Sequence, residues 1–246
     1  MRDTSNEDAS SVAVAIPANG PGAPLSLIEL AVQAALAEYF DPDEVRWKPQ
    51  SVKGNRALAI AYIDARLVQD RLDSVVGVSG WRTAYRPADG GSVECQLSLR
   101  LSGEWITRAD VGSPSEQPDD GDRLKAAYSD SLKRAAVAFG IGRYLYRLPH
   151  QWVDYDPMTK KFVRTPSLPE WAKPGGRPMN GKEVVRLVTK DEVAEIERCI
   201  AECEAAGKPV DREGLLKWLR VPSLADLTID RAFVAVWQLN QKRRGK

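Results

Sequence analysis

The stretch VECQLSLRL, residues Val93–Leu101, alternates apolar and polar side chains without a break. Successive side chains of a β-strand point to opposite faces, so one face of this strand is apolar and the other is polar. Turn sequences flank it, with ADGG before and SGE after. The pattern predicts the central strand of an antiparallel sheet that is buried on one face and wet on the other.

The neighbouring segments predict the rest of this sheet. WRTAYR begins at Trp81 and EWITRADVG begins at Glu104, which gives a three-stranded antiparallel meander. Its polar face is expected to carry four arginines, namely Arg82, Arg86, Arg100 and Arg108. These are either a solvated face paired with Glu94 or part of a binding surface for an anion.

A long amphipathic helix follows the meander. From Asp122 to Gly140 the apolar residues recur every three or four positions: Leu124, Tyr128, Leu132, Ala135, Ala136 and Phe139. This stripe predicts a helix that covers the sheet, and Lys133 points away from the strongest part of the stripe. Lys133 and Arg134 either pair with Asp130 within the helix or face an external anion, and the helix pattern leaves both open.

The segments before the meander are less regular. Residues 1–24 are polar and rich in Pro and Gly, which predicts disorder. Helices are predicted over Ser26–Tyr39 and over DARLVQDRLDSVVG, which Gly77 ends. Between them, EVRWKPQ predicts a short strand ended by Pro49, and SVKGNRALAIAY predicts a loop that feeds a second extended piece.

Four short motifs occur in this order along the chain. They are Tyr62-Ile63-Asp64, Gly80-Trp81, Asp110-Val111-Gly112, and Ser131-Leu132-Lys133-Arg134-Ala135 followed by Phe139-Gly140. On these residues the chain resembles the Rad52/Rad22 family of single-strand DNA annealing proteins, in its bacterial and phage DdrA-like branch. The resemblance covers about Leu25 to Leu148.

The resemblance implies a fold, an assembly and a site. Family members assemble side by side into rings, and single-stranded DNA lies in a basic groove with its bases free to pair. Lys133 and Arg134 match the helix cations of that groove, and the first strand and the loop behind it supply Lys48, Lys53 and Arg56 as candidates. The full set of candidate DNA-binding residues is Lys133, Arg134, Lys53, Arg56, Lys48, Arg143 and Arg82.

Two positions depart from the family pattern. A further cation usually follows one turn after the Lys-Arg pair, where this chain has Val137. The lysines of a second, outer DNA site are replaced by DGGS and SPSEQPDDGD, which argues against duplex capture at that place. Arg123, Lys125, Arg143 and Arg147 are candidate substitutes.

Composition limits the other functions. The net charge is +1, and the chain has one histidine and three cysteines, so we expect no metal site, no cofactor and no disulfide framework. No apolar run approaches the roughly 18 residues of a membrane span, and the first residues do not form a signal peptide. A cytoplasmic protein, associated with the nucleoid when bound to DNA, is therefore expected.

A metal-dependent nuclease would use Asp110, Asp119, Asp120 and Asp122, but a solvated loop before an acid-rich helix start is the preferred interpretation.

The second half differs in composition. Residues 159–190 are basic and rich in Pro and Gly, which predicts a linker that is either a spacer or a DNA-holding arm; Trp171 within it either docks on the ring or stacks on a base. Residues 191–246 predict a small module of three helices with Trp218 and Trp237 in its core. Similar modules in phage annealing proteins are thought to recruit partners such as single-strand-binding protein.

The sequence thus predicts an α+β annealing domain over residues 25–158, a β-meander on a long helix, followed by an all-α module. The expected function is non-enzymatic binding and annealing of single strands in recombinational DNA repair, by a homo-oligomeric ring. The alternative is a loader protein that recruits replication or recombination factors through its C-terminal helices.

Overall fold

The computed structural model describes residues 26–175 and 186–245 of the chain. The predicted tail, residues 1–24, and the middle of the predicted linker, residues 176–185, lie outside the described residues. The fold is α+β as predicted, with two antiparallel sheets followed by C-terminal helices.

The predicted meander is confirmed. It consists of β3 (Trp81–Pro87), β4 (Val93–Leu101) and β5 (Glu104–Gly112), paired in that order. The apolar face of β4 is fully buried, with Val93, Cys95, Leu97 and Leu99 at 0 % exposure. This face carries α3 (Asp120–Val137), whose first turn is capped by the Asp119 carboxylate accepting from the Asp122 N–H at 2.9 Å.

The apolar stripe of α3 begins later than predicted. Ala127, Leu132, Ala135 and Ala136 are buried against the sheets, but Leu124 is 49 % exposed. The helix ends where Gly140 and Gly142 adopt left-handed φ angles of 105° and 66°, and a 3₁₀ turn follows.

Gly112 marks the closest approach of β5 to α3. A Cβ atom at this position would overlap the backbone of the helix, at the Ala127 carbonyl oxygen and the Ser131 nitrogen, with the Ser131 Cα only 2.9 Å away. The Ser131 side chain is itself fully buried and donates to the Tyr128 carbonyl at 2.9 Å. Only glycine permits this contact, which places the second half of α3 directly on the sheet.

The prediction for Arg108 is wrong. Residues directly opposite each other in an antiparallel pair project from the same face of the sheet, and Arg108 lies opposite the buried Leu97. Arg108 is therefore on the face that carries α3, at its exposed edge, where its guanidinium lies 5.9 Å from the Phe139 ring centroid. The face of Arg108 is not evident from the sequence because the apolar and polar positions of β5 do not alternate clearly.

The first sheet also differs from the prediction. β1 (Arg46–Lys53) does not end at Pro49 but continues and forms a hairpin with β2 (Arg56–Tyr62), which replaces the predicted loop. β1 is an edge strand with a bulge between Pro49 and Ser51, and these are the two settings in which a β-strand accommodates proline. β6 (Gln151–Asp156) and β7 (Lys161–Phe162) complete the sheet in the order β1-β2-β6-β7.

Two helices flank the hairpin in sequence. α1 (Leu27–Ala37) begins with a capping box made by Ser26 and Glu29, and α2 (Ala65–Val75) begins with the Asp64 carboxylate accepting from the Arg66 N–H. The main core lies between α1, α2, α3 and the meander. Its members include Leu36, Phe40, Val68, Leu72, Leu97, Leu99, Leu132 and Ile141.

The predicted linker packs against this core in its first part. Leu168 and Ala172 are buried in the main core, and the Trp171 ring packs against it. The chain from 159 to 175 is therefore held on the α+β domain.

The C-terminal helices are α4 (Lys190–Ala205), α5 (Arg212–Leu219) and α6 (Ile229–Arg244). They form a second hydrophobic core with Ile196, Ile200, Leu227, Val236 and neighbouring residues. Trp237 is a core residue as predicted, but it packs against the main core and not within the core of the C-terminal helices. The prediction for Trp218 is wrong because its side chain is 53 % exposed.

The C-terminal helices also hold the first two helices of the chain. Leu27 and Ala31 of α1 are 1 % and 3 % exposed within the second core. The Glu195 carboxylate accepts from the N–H groups of Leu27 at 3.0 Å and Ile28 at 3.2 Å, which caps α1 from another part of the chain. Gln241 and Arg244 of α6 likewise donate to the last carbonyls of α2.

Deleting residues 176–246 is expected to destabilise the remaining domain. The deletion exposes the buried side of α1 and removes its Glu195 cap, a loss of about 3 kcal/mol from the free energy of unfolding. Urea unfolding followed by circular dichroism measures this loss, and Trp218→Ala in the full chain is the control with no expected change. A truncated chain that unfolds at the same urea concentration as the full chain would contradict this interface.

Candidate nucleic-acid interface

A cavity of about 400 Å³ lies between the β1–β2 hairpin and the second half of α3. We call it the groove. The hairpin contributes Trp47, Lys48, Ile60 and Tyr62, α3 contributes Asp130, Lys133, Arg134 and Val137, and the chain after α3 contributes Tyr146 and His150. The two predicted helix cations therefore face a cavity together with a cation from the first strand.

Tyr62 lies between two lysines. The Lys48 and Lys133 ammonium groups are each 5.5 Å from the centroid of the Tyr62 ring. A cation within about 6 Å of an aromatic face is attracted by the ring quadrupole, so Tyr62 holds both lysines at the groove. Because this attraction leaves the ammonium hydrogens unused, the two groups remain able to donate to an anion.

The charged form of Lys133 is less stable in this position than in water. Partial burial lowers the pKa of the Lys133 ammonium, the Asp130 carboxylate raises it, and the positive charge of Lys48 lowers it again. A phosphate group entering the groove would relieve both unfavourable effects, because it supplies an opposite charge beside the two lysines.

Arg134 pairs with the meander and not with Asp130. Its Nε donates to the Asp110 Oδ1 at 3.1 Å, and this bond raises the pKa of the guanidinium. Asp110 also accepts from the Val111 N–H at 2.7 Å. Guanidinium has five donors, so one bond to Asp110 fixes the direction of Arg134 while the other N–H groups remain at the groove.

The bulge in β1 decides which cations share a face. Lys48 is opposite Ile60 of β2, and Lys53 is opposite Arg56. Gln50 has no partner on β2 and is the extra residue of β1. Without this residue, Lys53 would point to the opposite face from Lys48. With it, Lys48, Lys53 and Arg56 all lie on the face that carries Tyr62.

A second cation–aromatic group lies at the hairpin end of the same face. Trp152 of β6 is opposite Leu58, so its indole projects beside Lys53 and Arg56. The Lys53 ammonium is 5.4 Å from the indole centroid, and the Arg56 guanidinium donates to the Trp152 carbonyl. Lys48 is opposite Ile60 and Lys53 is opposite Arg56, so the two cation–aromatic groups are four residues apart along β2. At the usual rise of a β-strand this separation is about 13 Å.

Two predicted site residues lie elsewhere. Arg143 donates to the Val137 and Ala138 carbonyls at 2.8 and 2.7 Å, so it closes the C-terminal end of α3. Arg82 lies opposite Ser98 on the face of the meander away from α3, with its guanidinium 4.2 Å from the Trp105 ring centroid. The structure brings Lys48, Lys133 and Arg134 together at the groove, and it places Lys53 and Arg56 about 13 Å away on the same face of the hairpin.

The sequence pattern does not reveal two aromatic residues beside the cations, Tyr62 in the groove and Trp152 next to Lys53 and Arg56. Tyr62 was recognised only as the start of a motif, and Trp152 was not singled out. Arg56 and Tyr62 both occupy even-numbered positions of β2, and such positions project from the same face of a strand. A correct hairpin assignment would therefore have placed Arg56 and Tyr62 on one face.

The carboxylates proposed for a nuclease do not form a common site. Asp110 is bonded to Arg134, Asp119 caps α3, and Asp120 and Asp122 pair with Arg123 and Lys125. Among residues 26–175 and 186–245, no group of three His, Cys, Asp or Glu side chains is arranged to bind a metal ion. Within the same residues, no helix is long and apolar enough to cross a membrane.

Comparison with known proteins gives one family. Residues 29–161 match the model of the Rad52/22 family of double-strand break repair proteins. The single-stranded DNA-binding protein DdrA of Deinococcus radiodurans is 43 % identical over 145 residues, which cover 58 % of this chain and 68 % of that protein. The DdrA protein of Deinococcus deserti is 44 % identical over 145 residues, 58 % of this chain and 70 % of that protein. The matched region contains the whole groove.

Proposed function

The chain belongs to the Rad52/22 family of double-strand break repair proteins, and from this premise we propose that it binds single-stranded DNA in the groove and anneals complementary strands. The observation that supports the proposal best is the single row of cations. Lys48, Lys133 and Arg134 border one cavity, and Lys53 and Arg56 continue the row along the same face of the hairpin, although the five cations come from separate parts of the chain.

The chemistry of the row suits a sugar-phosphate backbone. Ammonium and guanidinium groups bind phosphate oxygens, which carry no sequence information. The Lys48–Lys133 pair and the Lys53–Arg56 pair are about 13 Å apart along β2, so they contact different phosphates of one strand. A strand held in this way keeps its base edges available for a complementary strand.

We further propose that the active form is a homo-oligomeric ring. One protomer supplies few phosphate contacts and the net charge of the chain is only +1, so affinity would come from neighbouring grooves that hold one strand together. β3 and β5 are edge strands of the meander in a single chain. Neighbouring subunits would cover these edges, which are otherwise prone to aggregation.

This function needs no catalytic residue, nucleotide or metal ion, because annealing forms no covalent bond. We assign the protein to recombinational DNA repair in the cytoplasm, at the nucleoid when it is bound to DNA. Lys125, Arg143 and Arg147 are not required for the groove.

Electron microscopy and a strand-annealing assay on one preparation test this proposal. We expect closed rings or arcs together with faster pairing of complementary oligonucleotides, without added nucleotide or metal. The affinity for an oligothymidylate should fall with salt with a logarithmic slope of about 3.5 for each protomer that contacts the strand, since its five cations each displace counterions. Monomers that bind no oligonucleotide at low salt would contradict the proposal.

A further inference from the structure

A second basic cavity lies at the junction of the meander and the C-terminal helices. It has a volume of about 470 Å³ and lies between the N-terminus of α1, the β4–β5 turn, α4 and α6. We call it the junction cleft. It shares no lining residue with the groove, and it lies at the opposite end of β4 from the DGGS turn.

Four arginines line the junction cleft: Arg100 of β4, Arg198 of α4, and Arg243 and Arg244 of α6. Arg243 pairs with Glu202, and Arg244 donates to the Val75 carbonyl at 3.0 Å. Arg100 and Arg198 are exposed, and no carboxylate in the described part of the chain forms an ion pair with either. The fold therefore brings arginines from three elements to one cavity and leaves two of them without an opposite charge.

The carboxylates of the junction cleft have other partners. Glu29 accepts from the Ser26 N–H at 3.0 Å and from the Ser102 hydroxyl at 2.9 Å. Glu195 accepts from the first two N–H groups of α1. Helix N-termini carry a partial positive charge, so both carboxylates are partly compensated there. Burial and the neighbouring charge of Arg243 lower the pKa of Arg244, which indicates crowding of positive charge.

We propose that the junction cleft binds the phosphate backbone of DNA as a second contact, outside the groove. Arginine binds phosphate oxygens with two parallel N–H bonds, which makes guanidinium groups more selective for phosphate than ammonium groups are. The junction cleft has no aromatic side chain among its lining residues, so nothing in it would stack on a base. Its ligand is recognised through phosphate alone, and the site reads neither sequence nor base.

This second contact rests on the proposed DNA-binding function and adds a role for the C-terminal helices. Because α4 and α6 supply three of the four arginines, the junction cleft exists only when these helices pack against the α+β domain. The C-terminal module would thereby take part in holding DNA directly, in addition to any contact with another protein.

The test compares two double variants of the full chain. Arg100→Ala with Arg198→Ala removes the two cations without ion pairs, and Arg212→Ala with Lys217→Ala removes two cations of α5 outside the junction cleft. Fluorescence anisotropy measures affinity for a labelled oligothymidylate and for a labelled duplex. We expect the first variant to bind about tenfold more weakly and the second to bind as the unaltered chain does. Both should keep the unfolding temperature of the unaltered chain, because these side chains are exposed.

The two proposals fail in different ways. If Arg100→Ala with Arg198→Ala binds both DNAs as before, or if both double variants weaken binding equally, the junction cleft is not a DNA contact. If inorganic phosphate raises the unfolding temperature of the unaltered chain but not of that variant, while DNA affinity is unchanged, the site takes free phosphate and the proposal is wrong. A third outcome is that Arg100→Ala with Arg198→Ala loses DNA binding while Lys133→Ala with Arg134→Ala has no effect. This outcome would refute DNA binding in the groove and support DNA binding in the junction cleft.

Discussion

Replacing Lys133 and Arg134 together with alanine is expected to weaken the binding of single-stranded DNA about a hundredfold. Both side chains border the groove, and each is expected to donate charge-assisted hydrogen bonds to a phosphate. The weakening should be the same for all oligonucleotide sequences, because backbone contacts read no base. The slope of affinity against salt should fall by about 1.4, as two fewer phosphates release counterions.

The same helix provides the matched control. Arg123 and Lys125 lie in the first turns of α3, where they pair with Asp120 and Asp122 outside the groove. Arg123→Ala with Lys125→Ala removes the same charge from the same helix and should leave binding nearly unchanged. Equal losses in the two double variants would mean that net charge, and not the groove, determines affinity. If the Lys133→Ala, Arg134→Ala chain keeps its oligomeric state and binds DNA as the unaltered chain does, the groove is not the DNA-binding site.

Gly112→Ala is expected to destabilise the fold by about 3 kcal/mol or more. The added methyl group would overlap the backbone of α3 at Ala127 and Ser131, and backbone atoms cannot rotate away as a side chain can. The helix would have to move off β5, which separates Arg134 from Asp110 and opens the main core. Urea unfolding of the purified chain, or its recovery in soluble form, measures the effect.

Gly121→Ala is the control for this change. Gly121 lies in the first turn of α3, where a new Cβ would meet only the Asp119 carboxylate at 3.0 Å. Alanine also favours a helix over glycine by up to about 1 kcal/mol, so little or no loss is expected. Unchanged unfolding of Gly112→Ala would show that α3 and β5 are further apart than described.

The parts of the fold that the sequence predicted are those with one clear period. β4 alternates strictly and has a single buried face, and the second half of α3 buries a stripe with helical spacing. Both elements pack against the same core, so local pattern and tertiary position agree. The neighbouring strands were found because turn residues flank β4 on both sides.

The wrong assignments have identifiable physical causes. The faces of β1 and β5 depend on register, and neither strand has alternating burial that would reveal it. Pro49 was interpreted as a strand end, whereas an edge strand with a bulge accommodates it. Trp218 was assigned to a core because tryptophan is usually buried, but α5 buries only Leu219 fully. The packing of α1 with α4 and α6 joins distant segments, which no local pattern indicates.

The candidate site was only partly predictable. Helix spacing alone left Lys133 and Arg134 undecided between a pair with Asp130 and an external anion, and the resemblance favoured the anion. The structure adds the Arg134–Asp110 bond and the position of Tyr62 between Lys48 and Lys133. That Lys53 joins this face depends on one extra residue in β1, which the sequence does not mark.

Lysine footprinting of the unaltered full chain tests the groove most directly. The chain is acetylated briefly with and without saturating oligothymidylate, and mass spectrometry measures the modification of each lysine. We expect DNA to protect Lys48, Lys53 and Lys133, while Lys125 and Lys217, which lie outside the groove, keep their reactivity. Unchanged reactivity of Lys48 and Lys133 on a strand that is demonstrably bound would contradict this expectation.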